Sequence, residues 1–103
     1  MYKPLPKEVT VKESAIQGLG LFAVEDIKKG HAFGVTHVLD FGFENSYIRT
    51  PLGGFINHSE EPNCELAPSA NKQYRILVSI KHITKGTEIT TKYCLYELAI
   101  GKE

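Results

Sequence analysis

The hydrophobic positions of this chain fall in short runs separated by glycine and lysine turns. Residues 9–12 alternate apolar and polar side chains, which predicts a strand entered from the proline-held lead-in Pro4-Leu5-Pro6. Residues 19–24 form a compact apolar run entered through Gly18 and Gly20. After the turn Glu25-Asp26-Ile27-Lys28-Lys29-Gly30, residues 31–39 are rich in β-branched and aromatic side chains and again read as extended. Tyr74-Arg75-Ile76-Leu77-Val78-Ser79-Ile80 gives the clearest strand, and residues 88–91 a short one. Only residues 93–100 carry the spacing of a short helix, with Gly101 to end it. The pattern predicts a mainly β fold in one domain spanning residues 1–103.

Two of the turns echo each other. Ala23-Val24-Glu25-Asp26-Ile27-Lys28-Lys29-Gly30 resembles Ser79-Ile80-Lys81-His82-Ile83-Thr84-Lys85-Gly86. Each places an isoleucine ahead of a Lys-Gly turn that feeds an extended segment. Two ordinary glycine turns account for this, the glycines supplying positive φ; the alternative is a matched turn in each half of the fold.

Composition narrows the function classes. With 42% hydrophobic residues, 103 residues suffice for one core. No apolar run approaches the roughly 20 residues that span a bilayer, and prolines occupy the place of a signal peptide's apolar stretch. A soluble, intracellular protein without membrane partners is expected. Twelve basic residues balance twelve acidic ones, which argues against direct nucleic-acid binding. Cys64 and Cys94 belong to no C-x-x-C pair or ligand cluster, so two reduced thiols are expected and no metal.

The chemistry-bearing stretch is Gly54-Phe55-Ile56-Asn57-His58-Ser59-Glu60-Glu61-Pro62-Asn63-Cys64. It is followed by Gly86-Thr87-Glu88-Ile89-Thr90-Thr91-Lys92-Tyr93 and preceded by Gln17-Gly18-Leu19-Gly20-Leu21-Phe22-Ala23. In this order the segments resemble the SET-domain protein-lysine methyltransferases. The resemblance extends over most of the chain, from about residue 9 to residue 96. It implies a β-clip fold of several small sheets, with a C-terminal pseudoknot that tucks the Tyr93 segment beneath the Asn57 loop. It also implies S-adenosyl-L-methionine as cofactor and a lysine-containing protein or peptide as substrate. The shape is similar to the minimal SET proteins of viral or bacterial origin, without the family's flanking regions.

Carried onto this sequence, the resemblance assigns Gly18, Leu19 and Gly20 to the loop beside the cofactor's methionine end. Asn57 would offer its side-chain oxygen to that portion, and His58 mainly its main-chain groups and a wall. As a bare residue, His58 reads equally well as a structural histidine hydrogen-bonded in a turn. Asn63 would satisfy backbone groups, as turn asparagines do, and Glu60 and Glu61 would form a solvated tip. Tyr93 is the implied catalytic residue, its hydroxyl facing the transferred methyl and the amine, and it also borders the cofactor. Such chemistry needs no metal and no covalent nucleophile, only a neutral amine held in line.

The pattern departs from the family in places. Thr91 stands where an aromatic residue is usual, Lys92 where an acid is common, and Gly54 where many members have arginine. Glu60 occupies the position of a zinc-ligating cysteine, and no cysteine-rich stretch follows Tyr96. The segment between the second strand region and Gly54 is short, so Phe41, Phe43 and Tyr47 would line the substrate channel with Thr91 and Tyr96. Those aromatic residues are equally readable as core contacts of a short loop. A homodimer would close a channel left open by so short a wall. Two rival functions remain: a catalytically retired SET module that binds a protein or peptide, and a β-clip domain that binds carbohydrate or polar small molecules.

Overall fold

In the computed structural model, which describes residues 5–39, 47–70 and 73–92, nearly all regular structure is extended. The strands are β1 (Val9–Glu13), β2 (Leu19–Ala23), β3 (Ala32–Leu39), β4 (Tyr47–Arg49), β5 (Asn57–His58), β6 (Cys64–Pro68), β7 (Tyr74–Ser79) and β8 (Glu88–Thr91). One short helix, α1 (Pro51–Gly54), interrupts them. The five strands legible in the hydrophobic pattern all form, with ends shifted by a residue or less. The helix expected over 93–100 and the crossing of the Tyr93 segment lie outside the described residues.

The strands follow the hydrogen-bonded order β1-β2-β8-β6-β7-β3-β4, with β5 joined to β8. Within that order the small sheets appear as separate ladders, β1 with β2 and β6-β7-β3-β4, linked through β8. β8 meets β2 antiparallel at Leu21↔Ile89 and Phe22↔Glu88. It runs parallel to β5 at Asn57↔Thr90 and His58↔Thr91, and touches β6 at Cys64↔Thr91. β8 is therefore the strand on which three parts of the fold converge. Asn63 fixes it from the side: its amide donates to the Glu88 carbonyl (2.8 Å) and its Oδ1 accepts from Thr90 N–H (2.9 Å).

The two echoing turns pack against one another. Ile27 and Ile83 exchange backbone hydrogen bonds, each 2.8 Å, and both side chains are buried. Gly30 N–H donates to the Ser79 carbonyl while Gly86 N–H donates to Ala23, the matching residue of the other turn. Gly30 and Gly86 sit at φ +87° and +92°, a region that costs any other residue energy. The echo is thus a local pseudo-two-fold in which β2 pairs with the strand after the second turn, and β7 with the strand after the first.

Leu21, Leu77, Ile83 and Ile89 fill the centre, joined by Ile27, Phe33, Leu52 and Ile56. Each fully buried aliphatic side chain contributes about 1.5–3 kcal/mol by removal from water. Cys64 is a free thiol whose burial pushes its pKa up to about 12, leaving it an inert core residue. Among the described residues no helix is long and apolar enough to cross a membrane.

α1 escaped the periodicity because it is one turn long, yet its start is written in Thr50-Pro51. The Thr50 hydroxyl accepts from Gly53 N–H at 3.3 Å and donates to the Val35 carbonyl at 2.6 Å, capping the helix and docking it on β3.

One polar row crosses the sheet. His37 pairs in register with Arg49 on β4 and with Arg75 on β7. The ring is buried, and its pKa falls to about 4 through desolvation first and the two guanidinium charges second. Thr36 Oγ1 donates to the Arg75 carbonyl (3.2 Å), so at 2.8 Å it accepts from His37 Nδ1–H and fixes the tautomer. Unfolding lets His37 take a proton below pH 6.5, which the folded protein refuses until about pH 4. Stability should therefore be lost as pH falls between these values, by about 3 kcal/mol over the whole window. Urea unfolding at pH 7.0 and 4.5 checks this: His37→Gln should lose markedly less stability on acidification than the parent protein.

Candidate functional site

Four of the six residues expected to border the cofactor, Gly18, Leu19, Asn57 and His58, line one groove. The loop between β1 and β2 brings Gly18 and Leu19 against β5, which carries Asn57 and His58. They line an open groove of about 480 Å³ with Gln17, Arg49, Phe55 and Ile56. That volume falls in the usual range of small-molecule sites, roughly 300–1,000 Å³. Gly20 lies beneath this lining rather than in it and is buried.

A side-chain network under the groove explains its shape. Glu88 opens β8 and holds Asn57 Nδ2 at 2.8 Å and Ser14 Oγ at 2.8 Å. The Asn57 amide also donates toward Ser14 Oγ (3.0 Å) and the carbonyls of Gln17 (3.1 Å) and Leu19 (3.3 Å). Every one of these neighbours accepts, which settles which end of the amide faces them. Asn57 Oδ1 is then the acceptor without a partner among the described residues. Ser14 Oγ in turn accepts from Ile16 N–H at 2.9 Å and steadies the glycine loop. A Cβ at Gly20 would collide with Glu88 Oε2 and crowd Asn57 Nδ2, so this glycine serves close approach rather than a special φ.

His58 has the structural role its type allows. Its Nε2 lies 2.9 Å from Glu60 Oε2, and Lys92 Nζ lies 3.2 Å from Glu60 Oε1. Glu60, expected to be part of a solvated tip, is solvated and also bridges β5 to the residue after β8. The hydrogen bond from His58, then Lys92, holds its carboxyl below the ordinary value of 4.5. These exposed pairs steer more than they stabilise.

Thr91 is 1% exposed at the end of β8, and its carbonyl accepts from Ser59 N–H at 3.0 Å. It is packed beside Cys64 and is no part of the groove lining. Tyr47 begins β4 opposite Leu39. Phe41, Phe43, Tyr93 and Tyr96 lie outside the described residues, as does Cys94. Three site residues carried no assignment in the sequence: Ser14, Arg49 and Glu88. Glu88 stands within the Glu-Ile-Thr run that was read, but only its partners in space show what it does.

A family model of the SET domain matches residues 35–94, more than half of the chain. The chain belongs to the SET-domain family. Solved structures share this SET fold. The methyltransferase domain of human PR domain-containing protein 2 aligns with a TM-score of 0.69 at 22% identity, covering 86% of this chain and 78% of that one. A Plasmodium falciparum protein described as a candidate histone methyltransferase aligns with a TM-score of 0.67 at 21% identity, over 86% of this chain and 95% of its own. The SET domain of the RIZ1 tumor suppressor (PRDM2) gives 0.67 at 19% identity, over 87% and 71%. At these identities the likeness is one of fold, and the SET chain's own residues must carry the function.

Proposed function

We propose that this SET domain binds S-adenosylmethionine in the groove between the Gly18 loop and β5, and methylates a lysine side chain of a protein or peptide. The observation that carries the reading is Asn57. Its amide nitrogen is consumed by Glu88, Ser14 and two carbonyls, which leaves Oδ1 as an acceptor suited to the ammonium of an amino-acid ligand. The groove is also large enough for a nucleoside with such a tail. When bound, the cofactor supplies a sulfonium-activated methyl. The protein's own part is to fix the tail with Asn57, to let the backbone approach at Gly18, and to present Tyr93 to the amine.

Binding of S-adenosylhomocysteine tests this directly. Ligand at a hundred times its Kd should stabilise the fold by about 2.7 kcal/mol, read as a thermal shift. Asn57→Ala should weaken binding at least tenfold by calorimetry, whereas Glu60→Ala, outside the lining, should stay within about twofold. No heat and no shift at millimolar ligand would end the proposal and favour the retired module.

A further inference from the structure

Arg49 ends the edge strand β4 and lines the groove beside Phe55 and Asn57. It is exposed, and no carboxylate pairs with it among the described residues. Its in-register neighbour His37 brings no negative charge, and the next position along that row is a second guanidinium, Arg75. An arginine in a concave site, with no acid among the described residues to hold, is a ready receptor for a planar anion. Among the described lining residues it is also the one permanently charged side chain.

We infer that Arg49 is a ligand-binding residue that grips the carboxylate of the amino-acid tail in this groove. The inference rests on the cofactor reading above and adds to it which residue meets the one anionic group of that ligand. Charge decides the placement. The proposed ligand carries two positive centres, ammonium and sulfonium, and a single negative one. A guanidinium facing either cation would repel it, so of the ligand's charged groups Arg49 is complementary to the carboxylate alone. Asn57 Oδ1 and Arg49 then divide the zwitterion, a neutral acceptor for the ammonium and a fork of donors for the carboxylate. The residue's position at an exposed strand edge means that changing it removes no core contact.

The test compares two ligands on two proteins. S-adenosylhomocysteine carries the carboxylate; its decarboxylated analogue keeps the nucleoside, sulfur and ammonium. By calorimetry on the full chain, Arg49→Gln should weaken S-adenosylhomocysteine about ten- to a hundred-fold, the scale of a charge-assisted pair, and leave the analogue within about twofold. Arg49→Lys should recover part of the loss, since it restores the charge without the fork. Unchanged homocysteine-ligand affinity in Arg49→Gln overturns the inference while the cofactor reading stands. Equal loss of both ligands also overturns it, because the residue would then act through the shape of the groove. Failure of the parent protein to bind either ligand removes the cofactor reading first, and this inference with it.

Discussion

Gly20→Ala should cost the protein both stability and cofactor binding, out of proportion to one methyl group. The added Cβ would occupy the place of Glu88 Oε2 and press on Asn57 Nδ2. Glu88 sits at the start of a strand clamped by Asn63, so its backbone cannot retreat and its side chain must turn away. Turning breaks its bonds to Ser14 and Asn57. With two hydrogen bonds to a charged group, each worth about 1.5–3 kcal/mol, a loss of about 3–6 kcal/mol is expected. For a domain of this size that is a fall in Tm of roughly 12–24 °C. Asn57 is then free to rotate, and S-adenosylhomocysteine affinity should drop about a hundredfold or more. Gly18→Ala separates this from a general intolerance of the loop. Gly18 has open space around its missing Cβ but φ +48°, so that variant should keep the Glu88 network and lose only about 1 kcal/mol of stability, while its added Cβ, in the groove lining, also weakens the ligand. Calorimetric scans of the two variants with and without ligand decide it; a Gly20→Ala protein that melts and binds like the parent would remove the network from the site.

How much of this was readable beforehand follows from range. The strands that follow the hydrophobic pattern were legible because burial on one face writes itself into sequence with a period of two. β5 has two residues and β4 three, too few to show a period. β6 was missed for another reason: Cys64-Glu65-Leu66-Ala67-Pro68 begins directly after the Pro62-Asn63 turn and ends on a proline, so turn signals hid a strand whose partner is β7. The echo of the two Lys-Gly turns was visible, but its meaning required the reciprocal bonds between Ile27 and Ile83, which are 56 positions apart in the chain.

The site divides in the same way. Gly18, Asn57 and His58 were singled out because they stand in short segments that resemble the family's motifs. The Glu88 carboxylate and Ser14 hydroxyl lie 74 residues apart and meet only when β2 pairs with β8. Arg49 was one charge in a short loop-like stretch until β4 formed and turned it into the wall of a groove. Thr91, expected to border the substrate channel, is buried on β8 at 1% exposure, between two neighbouring strands.

Tyr93→Phe should lower turnover about a hundredfold while leaving S-adenosylhomocysteine affinity nearly unchanged, the scale of one transition-state hydrogen bond. The residue itself lies outside the described part of the chain, but what leads into it is firmly held. Asn63 pins Glu88 and Thr90, and Thr91 accepts from Ser59 N–H in the loop that follows Asn57-His58. The expected work is positional: a hydroxyl that fixes the lone pair of a neutral amine, since the substrate lysine titrates near 10.4 and little of it is nucleophilic at pH 7. The rate should therefore rise toward alkaline pH in the parent and, at a lower level, in the variant, because the proton lost belongs to the substrate. Steady-state methylation of a lysine peptide, followed across pH 7–9 in both proteins, measures the two effects together. Equal rates would take Tyr93 out of catalysis, and a flat profile would mean that product release, and not the amine's proton, sets the pace.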